Sequence, residues 1–400
     1  MFIELLIAIL LGVFAGIFTG LIPGIHINLV AISTLTLTPF LLNYLDPITI
    51  AVFIISMAIT HSFLDFIPSI FLGAPETETA LSVLPGHKLL LEGKAYEAIK
   101  LTVIGSLCGL IIAISLVPFF LITLGKIYST IKEYIAYLLI FTSLLLIIKD
   151  KQKHWALITF SMAGALGISV LRLVTLKQPL FPLLSGLFGT SALLLSYSQK
   201  TKIPKQEITQ TNLKKKTIIK SLVSSLIAGS ICSFMPGLGP AQAAILGSQL
   251  LGKIKERGFL ILVGSLGIID IIISFVTLYT LNRARNGAIV AVSQIVETFN
   301  FNHLLIFLGS SLIAGAIATV LALQFGKIFS KIITKINYQK LCLIIISLIT
   351  MLVFFFSGPI GLFVLFISTM VGLIPQLTNT GRNHLMGCLI LPVIIFFLLY

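Results

Sequence analysis

The chain of 400 residues is 57% hydrophobic and only 10% charged, and its mean hydropathy is +1.11. A soluble domain carries about 25% charged residues, so this composition excludes an ordinary soluble protein. Apolar runs of about 20 residues, each long enough to cross a bilayer, recur along the chain, and they are continuous rather than alternating as in a β-barrel. The sequence therefore predicts an all-α polytopic protein of the cell membrane.

The net charge of +14 does not indicate nucleic-acid binding. The basic residues lie in short loops between apolar runs, which is the positive-inside pattern of membrane proteins. We expect these residues to set orientation and to contact lipid headgroups. The four cysteines lie in apolar runs without metal-ligand spacing, so no metal site and no cofactor is predicted.

The first apolar run, from Phe2 to Leu42, is interrupted by Ile22-Pro23-Gly24-Ile25-His26-Ile27-Asn28. Proline removes a backbone donor and clashes with the preceding turn, and glycine relaxes a helix. Inside a membrane such a break is tolerated where the freed backbone groups face protein or a polar cavity. The piece from Leu29 to Leu42 is short for a span and is typical of a re-entrant or half helix.

The next apolar run, at 48–72, contains His61 and Asp65, which are four residues apart and therefore share one helix face. Ionisable groups at membrane depth are costly, and they face a cavity or a partner. The pattern predicts a pair that carries a coupling ion or a proton. The alternative is a structural pair near the interface.

The segment at 73–98 is too polar to span the membrane. Its sequence Glu76-Thr77-Glu78-Thr79 combines carboxylates with hydroxyls, which are hard oxygen ligands suited to Na⁺ or to protons. The alternative is an interfacial loop in which the threonines cap a helix.

Residues 197–217 form the longest hydrophilic stretch and are rich in lysine. They divide the chain into a first transmembrane repeat at 1–196 and a second at 218–400. Their lysines and Pro204 predict an exposed cytoplasmic linker.

The second half repeats the break after its first apolar run, as Met235-Pro236-Gly237-Leu238-Gly239-Pro240. A constant shift of 213 residues places Ala15-Gly16, Pro23-Gly24 and Ala31-Ile32 on Ala228-Gly229, Pro236-Gly237 and Ala244-Ile245. Two matching breaks in two halves are the best sequence indication of a transport site between inverted repeats. Chance similarity between apolar segments is the alternative.

The run at 258–281 carries Asp270, and it is followed by Arg283 and Arg285. Two arginines beside a membrane-embedded segment could neutralise an anionic substrate by forked hydrogen bonds, or they are a basic loop that sets topology. Further apolar runs follow, the first at 288–300. In all we predict eleven or twelve transmembrane helices and two half helices.

These residues resemble the TctA family, the large membrane subunit of tripartite tricarboxylate transporters. The likeness lies in the elements Pro23-Gly24, Gly73-Ala74-Pro75, Thr79-Ala80-Leu81, Gly86, Gly93-Lys94-Ala95 and Pro236-Gly237-Leu238-Gly239. It covers residues 5–115 and 225–250 most clearly. The resemblance implies a permease that works with a small membrane subunit and an extracytoplasmic binding protein.

The chain departs from the family pattern in three elements. In the second half, Asn282-Arg283-Ala284-Arg285-Asn286 stands where members usually have a small-residue turn with proline. The first break has His26 where the family has glycine, and Pro85-Gly86 replaces an Asp-Gly pair. We expect the fold and the transporter class to survive these changes. The tricarboxylate substrate, the cation coupling and the partner subunits do not follow from the residues themselves.

We therefore expect a secondary transporter for a small organic anion, coupled to Na⁺ or protons. Substrate binding is assigned to Pro23, Gly24, His26, Asn28, Pro236, Gly237, Gly239, Gln242, Arg283 and Arg285, and coupling to His61, Asp65, Glu76, Thr77, Glu78, Thr79 and Asp270. The alternative is a flippase for a phosphorylated lipid carrier. Neither His-Glu-x-x-His nor Gly-x-Ser-x-Gly occurs in the chain, so an enzyme is not expected.

Overall fold

The computed structural model describes residues 2–22, 31, 34, 37–73, 81, 83–131, 134–176, 178–199, 203–208, 211, 213–234, 239–252, 254–284, 286–296, 298–335 and 337–399. The helices are α1 (Phe2–Leu21), α2 (Pro47–Leu64), α3 (Phe66–Leu72), α4 (Val83–Leu91), α5 (Ala95–Ser115), α6 (Val117–Ile131), α7 (Ile135–Lys149), α8 (Lys153–Leu171), α9 (Leu180–Leu184), α10 (Ser191–Ser198), α11 (Lys215–Phe234), α12 (Pro240–Leu250), α13 (Glu256–Leu281), α14 (Gly287–Ile295), α15 (Phe301–Ile333), α16 (Tyr338–Leu377) and α17 (Gly387–Leu399). A π-helix joins α9 to α10 (Ser185–Thr190), and a 3₁₀ turn precedes α17 (Arg382–Met386).

Within these residues, nine helices are long and apolar enough to cross a bilayer. The prediction of an all-α polytopic membrane protein is confirmed. The described residues of the apolar run at 288–300 do not form a membrane span. Only α14 forms there, and its nine residues reach about 14 Å, less than half of a hydrocarbon core of about 30 Å.

Two central helices form the middle of the protein. The first is Pro47–Leu72, made of α2 and α3, and the second is α13; in the most apolar stretch of each, 94% of the residues are buried. The first ends at Gly73, which has a φ of 64°, and the second at Asn282, with a φ of 51°. Glycine and asparagine are the residues that most readily adopt this left-handed conformation, which ends a helix.

The first central helix bends at Asp65, where α2 gives way to α3. Pro68 has no N–H, so it cannot bond to the carbonyl of Leu64 in the preceding turn. The bend thus follows from the proline, and it leaves a backbone carbonyl beside Asp65.

Helix α1 packs along the first central helix through a row of glycines spaced four apart. A Cβ atom at Gly12 would meet Ser56, and one at Gly20 would meet Leu64. The contacts advance in the same direction along both helices, so the two helices are parallel. Pro47 therefore lies level with the start of α1, at the opposite end from Leu21.

Helix α11 packs along the second central helix in the same parallel manner. Gly258 lies against Ser221, and Gly229 lies against Ile269. Between them runs α12, in the reverse direction, since its glycine Gly247 contacts Ala228 and the Gly252 that follows it approaches Lys220. Helix α12 has 11 residues and is about 16 Å long, half of a hydrocarbon core.

The two halves exchange helices around the central pair. Helix α5 of the first half lies on the second central helix, where a Cβ atom at Gly105 or Gly109 would overlap α13. The hydroxyl of Ser106 donates to the carbonyl of Gly264 at 2.8 Å. Glu97 bonds Arg257 at the starts of the two helices, so α5 and α13 are parallel.

Helix α15 of the second half lies in return on the first central helix. Gly315 contacts Ile59, and the ring of Phe329 lies 5.8 Å from that of Phe71, centroid to centroid. These contacts make α15 parallel to the first central helix.

Helices α15 and α5 also contact each other, but in opposite directions. Gly315 meets Leu110 and Gly326 meets Ile99. Since each of these two helices is parallel to one central helix, the two central helices are antiparallel. The first half of the chain thus enters the protein in the direction opposite to the second.

We define α1–α5 and α11–α15 as the central bundle. A second group of helices packs beside it. The peripheral bundle consists of α7–α10, α16 and α17. Its contacts also join the two halves through glycine, because Gly167 of α8 lies against Cys388 of α17 and Gly372 of α16 against Leu187. Thr190 and Thr369 bond each other at 2.5 Å between their hydroxyls.

Helix α16 turns back on itself. Its 40 residues would extend about 60 Å if straight, twice a hydrocarbon core. Gly358 has the non-helical angles φ 66° and ψ −165° and divides it. Tyr338, near its start, bonds His87, and Gly381, beyond its end, bonds Asp150. The neighbouring residues Lys88 and Lys149 line one cleft, so both ends of α16 reach the same end of the protein.

Part of the predicted linker is packed rather than exposed. Gln206 is buried, accepts from the N–H of Ala95 at 3.0 Å and donates to the carbonyl of Leu90 at 3.0 Å. The N–H of Glu207 donates to the carbonyl of Gly93 at 2.8 Å. These bonds fasten residues 203–208 to the turn between α4 and α5, so we call this end of the protein the linker face.

We expect Gly105→Ala to destabilise the protein by about 1–3 kcal/mol, the usual cost of overpacking, because the new methyl group would overlap the Ile261 carbonyl. Gly125→Ala is the matched control, since no atom lies within 4 Å of that position, and alanine favours an exposed helix by about 1 kcal/mol. Thermal unfolding of the purified protein measures both. Equal midpoints for the two variants would contradict the α5–α13 contact.

Candidate functional site

The first central helix carries two buried ionisable side chains where α1 ends. His61 is 1% exposed and Asp65 is 2% exposed. The backbone of His61 lies against Gly20, one residue before the end of α1. The N–H of Asp65 donates to the carbonyl of His61 at 2.9 Å. The two predicted coupling residues therefore lie beside the start of the first break.

The second central helix carries one buried acid, Asp270. Asp270 is 9% exposed and accepts a hydrogen bond from the Asn286 amide at 3.0 Å. The side-chain oxygen of Asn286 in turn accepts from the N–H of Ala288 at 3.1 Å and caps α14. Its neighbour Ile269 lies against Gly229 of α11, so the acid also lies near the end of α11.

His61 and Asp270 both lie near the middle of their central helices. Each is fourteen residues after the first residue of its central helix, or about 21 Å along a helix of about 39 Å. Ionisable groups at such depth mark ion or substrate pathways in membrane proteins. The structure thus brings groups from both halves to the middle of the protein.

Helix α12 begins at the second break with a closed cap. Its N-cap is Gly239, and the carboxamide oxygen of Gln242 accepts the Gly239 N–H at 3.0 Å. Gln242 is 4% exposed. Its oxygen is occupied by the cap, which leaves the amide nitrogen as the group of Gln242 that can donate to a ligand.

Arg283 lies apart from these residues. It is exposed, in the turn that follows the second central helix. Its backbone N–H reaches the carbonyl of Thr277 at 3.5 Å. That helix continues for about three turns beyond Asp270 before it ends, so Arg283 lies at the end of the protein opposite the linker face.

The remaining predicted site residues lie outside the described residues. They are Pro23, Gly24, His26, Asn28, Glu76, Thr77, Glu78, Thr79, Pro236, Gly237 and Arg285.

Comparison with known proteins identifies the family. The profile of the tripartite tricarboxylate transporter TctA family matches residues 6–387. The chain belongs to the TctA family. It is also similar to an uncharacterized protein of Methanocaldococcus jannaschii, with 32% identity over 387 residues and 94% of each chain covered. No solved structure matches the chain.

Membership of the TctA family confirms the resemblance seen in the sequence and makes the chain a membrane transport protein. The family belongs to transporters of three parts, so its members work with partner subunits. The match runs through both central helices and both predicted breaks.

One polar cluster of this TctA-family chain was not predicted from its sequence. His87 joins the two bundles, since Tyr338 donates to its Nε2 at 3.0 Å. A carbonyl can only accept, so Nδ1 carries the hydrogen that reaches the Ile70 carbonyl at 3.4 Å. Burial, with a smaller contribution from the nearby charge of Arg382, lowers the pKa of His87 to about 4. His87 is therefore neutral, and it links the two bundles near the linker face.

A second unpredicted cluster holds the loop before α17. Asp150 accepts from the Gly381 N–H at 3.0 Å, from His384 at 2.9 Å and from the Gln152 N–H at 2.8 Å. Burial opposes ionisation of Asp150, but these bonds outweigh it and lower its pKa. Arg382 donates to the Phe188 carbonyl of the π-helix at 2.7 Å. The sequence signal was the run of amides and hydroxyls at 375–384.

The pKa of His87 predicts a stability change with pH. The unfolded imidazole binds a proton below about pH 6.5, whereas the folded one resists protonation until about pH 4. The contribution of His87 to the free energy of unfolding is therefore complete above about pH 6.5 and is lost as the pH falls. Between about pH 7 and pH 4.5, the free energy of unfolding of His87→Gln should fall by about 2 kcal/mol less than that of the wild type.

Unfolding midpoints measured across this pH range test the prediction. His154→Gln is the control, because His154 is exposed at the start of α8. Parallel pH curves for the wild type and His87→Gln would refute the neutral buried state of His87.

Proposed function

We propose that the chain is the large membrane subunit of a secondary transporter for a small carboxylate-like anion, coupled to Na⁺ or protons. Family membership supplies the transporter class. The observation that carries the finer proposal is the antiparallel pair of central helices, with His61, Asp65 and Asp270 buried within them. Transporters of this kind bind substrate and ion near the bilayer midplane, where broken helices meet.

The chain is proposed to consist of two inverted repeats, 1–196 and 218–400. The parallel packing of α1 on the first central helix and of α11 on the second supports this, as do the antiparallel central helices. The exchanged helices α5 and α15 complete the same arrangement in each half. A pseudo-twofold axis in the membrane plane relates repeats of this type.

We assign each of the two predicted breaks to the binding of one end of the substrate. The N-terminus of α12, at Gly239, presents partial positive charge and backbone N–H groups suited to a carboxylate. Gly24 and Gly237 would let the anion approach the backbone, and His26 and Asn28 would add side-chain hydrogen bonds. Gln242 contributes its amide nitrogen.

The coupling ion is assigned to the carboxylates of the central helices. Asp65 and Asp270 offer hard oxygen ligands for Na⁺, or sites for a proton. His61 shares the helix face of Asp65. Glu76 and Glu78, with Thr77 and Thr79, follow the first central helix directly in the chain and are proposed to complete this site.

Movement is proposed between the central and the peripheral bundle. Glycine contacts and the Glu97–Arg257 ion pair join α5 of the first half to α13 of the second half. The two sequence halves are therefore too interlocked to separate as units, whereas each bundle contains helices of both. A small membrane subunit and an extracytoplasmic binding protein are proposed as partners, in keeping with the three-part family.

The coupling assignment predicts that Asp65→Asn and Asp270→Asn each lower uptake by roughly 10- to 100-fold, because each removes a charged hydrogen-bonding group worth about 1.5–3 kcal/mol. Asp46→Asn is the matched control, since Asp46 is exposed and makes no side-chain cap. Uptake of labelled carboxylates into proteoliposomes, with a Na⁺ gradient or a pH gradient, is the measurement.

Full uptake by both site variants would exclude Asp65 and Asp270 from coupling. Absence of carboxylate uptake by the wild type under either gradient, with a binding protein supplied, would overturn the substrate class. A response to only one of the two gradients identifies the coupling ion.

A further inference from the structure

A large cleft opens on the linker face, away from the mid-depth groups. Its volume is about 1260 Å³, above the range of about 300–1,000 Å³ that encloses a small ligand tightly. Helices α5, α11, α12 and α13 of the central bundle line it, and so do Lys149 of α7 and Asn383. The cleft therefore lies where the two bundles meet.

The described residues that line the cleft carry more positive than negative charge. Five are basic, and two, Glu97 and Glu256, are acidic. Glu256 is held by Lys88 at 2.6 Å, and Glu97 is held by Arg257 at 2.7 Å. Both acids are thus neutralised by ion pairs within the lining.

Three lysines supply the excess charge. Lys149 donates to the neutral amide of Gln249 at 2.9 Å, so its charge is not neutralised by that contact. Lys94 and Lys255 complete the set. Clefts lined by one sign of charge concentrate ligands of the opposite sign, and the ligand that fits here is a small polyanion.

Helix α12 connects this cleft to the second break. Ser248 and Gln249, in its last turn, line the cleft, and Gly239 caps its first turn. The two ends are about 16 Å apart. The last turn of α12 therefore lies in the same cleft as the three lysines.

We propose that the cleft is a second anion site, a vestibule in which the transported polycarboxylate gathers on the linker face before or after it occupies the mid-depth site. This inference rests on the proposed function. It assigns Lys94, Lys149 and Lys255 to substrate attraction, and it leaves the ion pairs of Lys88 and Arg257 as structural links between the halves.

The test compares two triple variants of equal charge in oriented proteoliposomes. The first is Lys94→Gln, Lys149→Gln and Lys255→Gln. The control is Lys151→Gln, Lys153→Gln and Lys335→Gln, whose lysines are exposed and are not among the cleft-lining residues. Citrate is the probe, and half-saturation is measured with citrate applied to each face separately, at low and high salt. Size-exclusion profiles establish that both variants are folded.

We expect the cleft variant to raise half-saturation about tenfold on the linker face at low salt, and to leave the other face unchanged. High salt should reduce the difference, since it screens the lysines. Equal half-saturation for both variants, with normal wild-type transport, overturns the vestibule while the transporter assignment stands. A wild type that transports citrate from neither face counts against the proposed substrate, and citrate binding in detergent that the cleft variant retains would then overturn the vestibule as well.

Discussion

A helix that is interrupted inside a bilayer must be surrounded by protein, because lipid offers no partner for the freed backbone groups. The central helices meet this requirement: 94% of the residues in the most apolar stretch of each are buried. Lipid provides no hydrophobic force that draws helices together, so close van der Waals contact must do so. Glycines at Gly12, Gly20, Gly105 and Gly264 allow this approach. The predicted sites depend on these contacts, although none of the four glycines would touch a ligand.

The exchange of α5 and α15 follows from the same requirement. A lone half could cover only one side of its central helix, because its own α1 or α11 lies on one flank. The helix donated by the other half covers a second flank. Each half therefore completes the burial of the other, and the functional unit is the pair. Each of the two bundles therefore contains helices from both halves. Glycine contacts hold each bundle together, so the proposed motion takes place between the bundles.

The sequence predicted those features that depend on local chemistry. Hydropathy located the first central helix at 48–72, and the spacing of four placed His61 and Asp65 on one of its faces. The pairing of distant segments was not predictable in this way. Gly105 reads as an ordinary glycine of an apolar run, and Gln206 as part of a polar linker. Their roles depend on partners such as Ile261 and Ala95 that have no local signal.

The two halves share a scaffold but not its chemistry. Shifted by 213 residues, Asp65 falls on Leu278, and Asp270 falls on Met57. The Pro-Gly breaks and the packing glycine Gly16 recur under this shift, as Pro236-Gly237 and Gly229, because both halves meet the same bilayer. The ionisable groups are not repeated, because a site at a twofold axis needs each ligand atom only once. The proposed transport of a substrate with a separate coupling ion requires unlike surfaces on the two breaks, and the asymmetry between Asp65 and Asp270 is consistent with that proposal. His26, which stands in only one of the two breaks, extends the same difference toward the substrate.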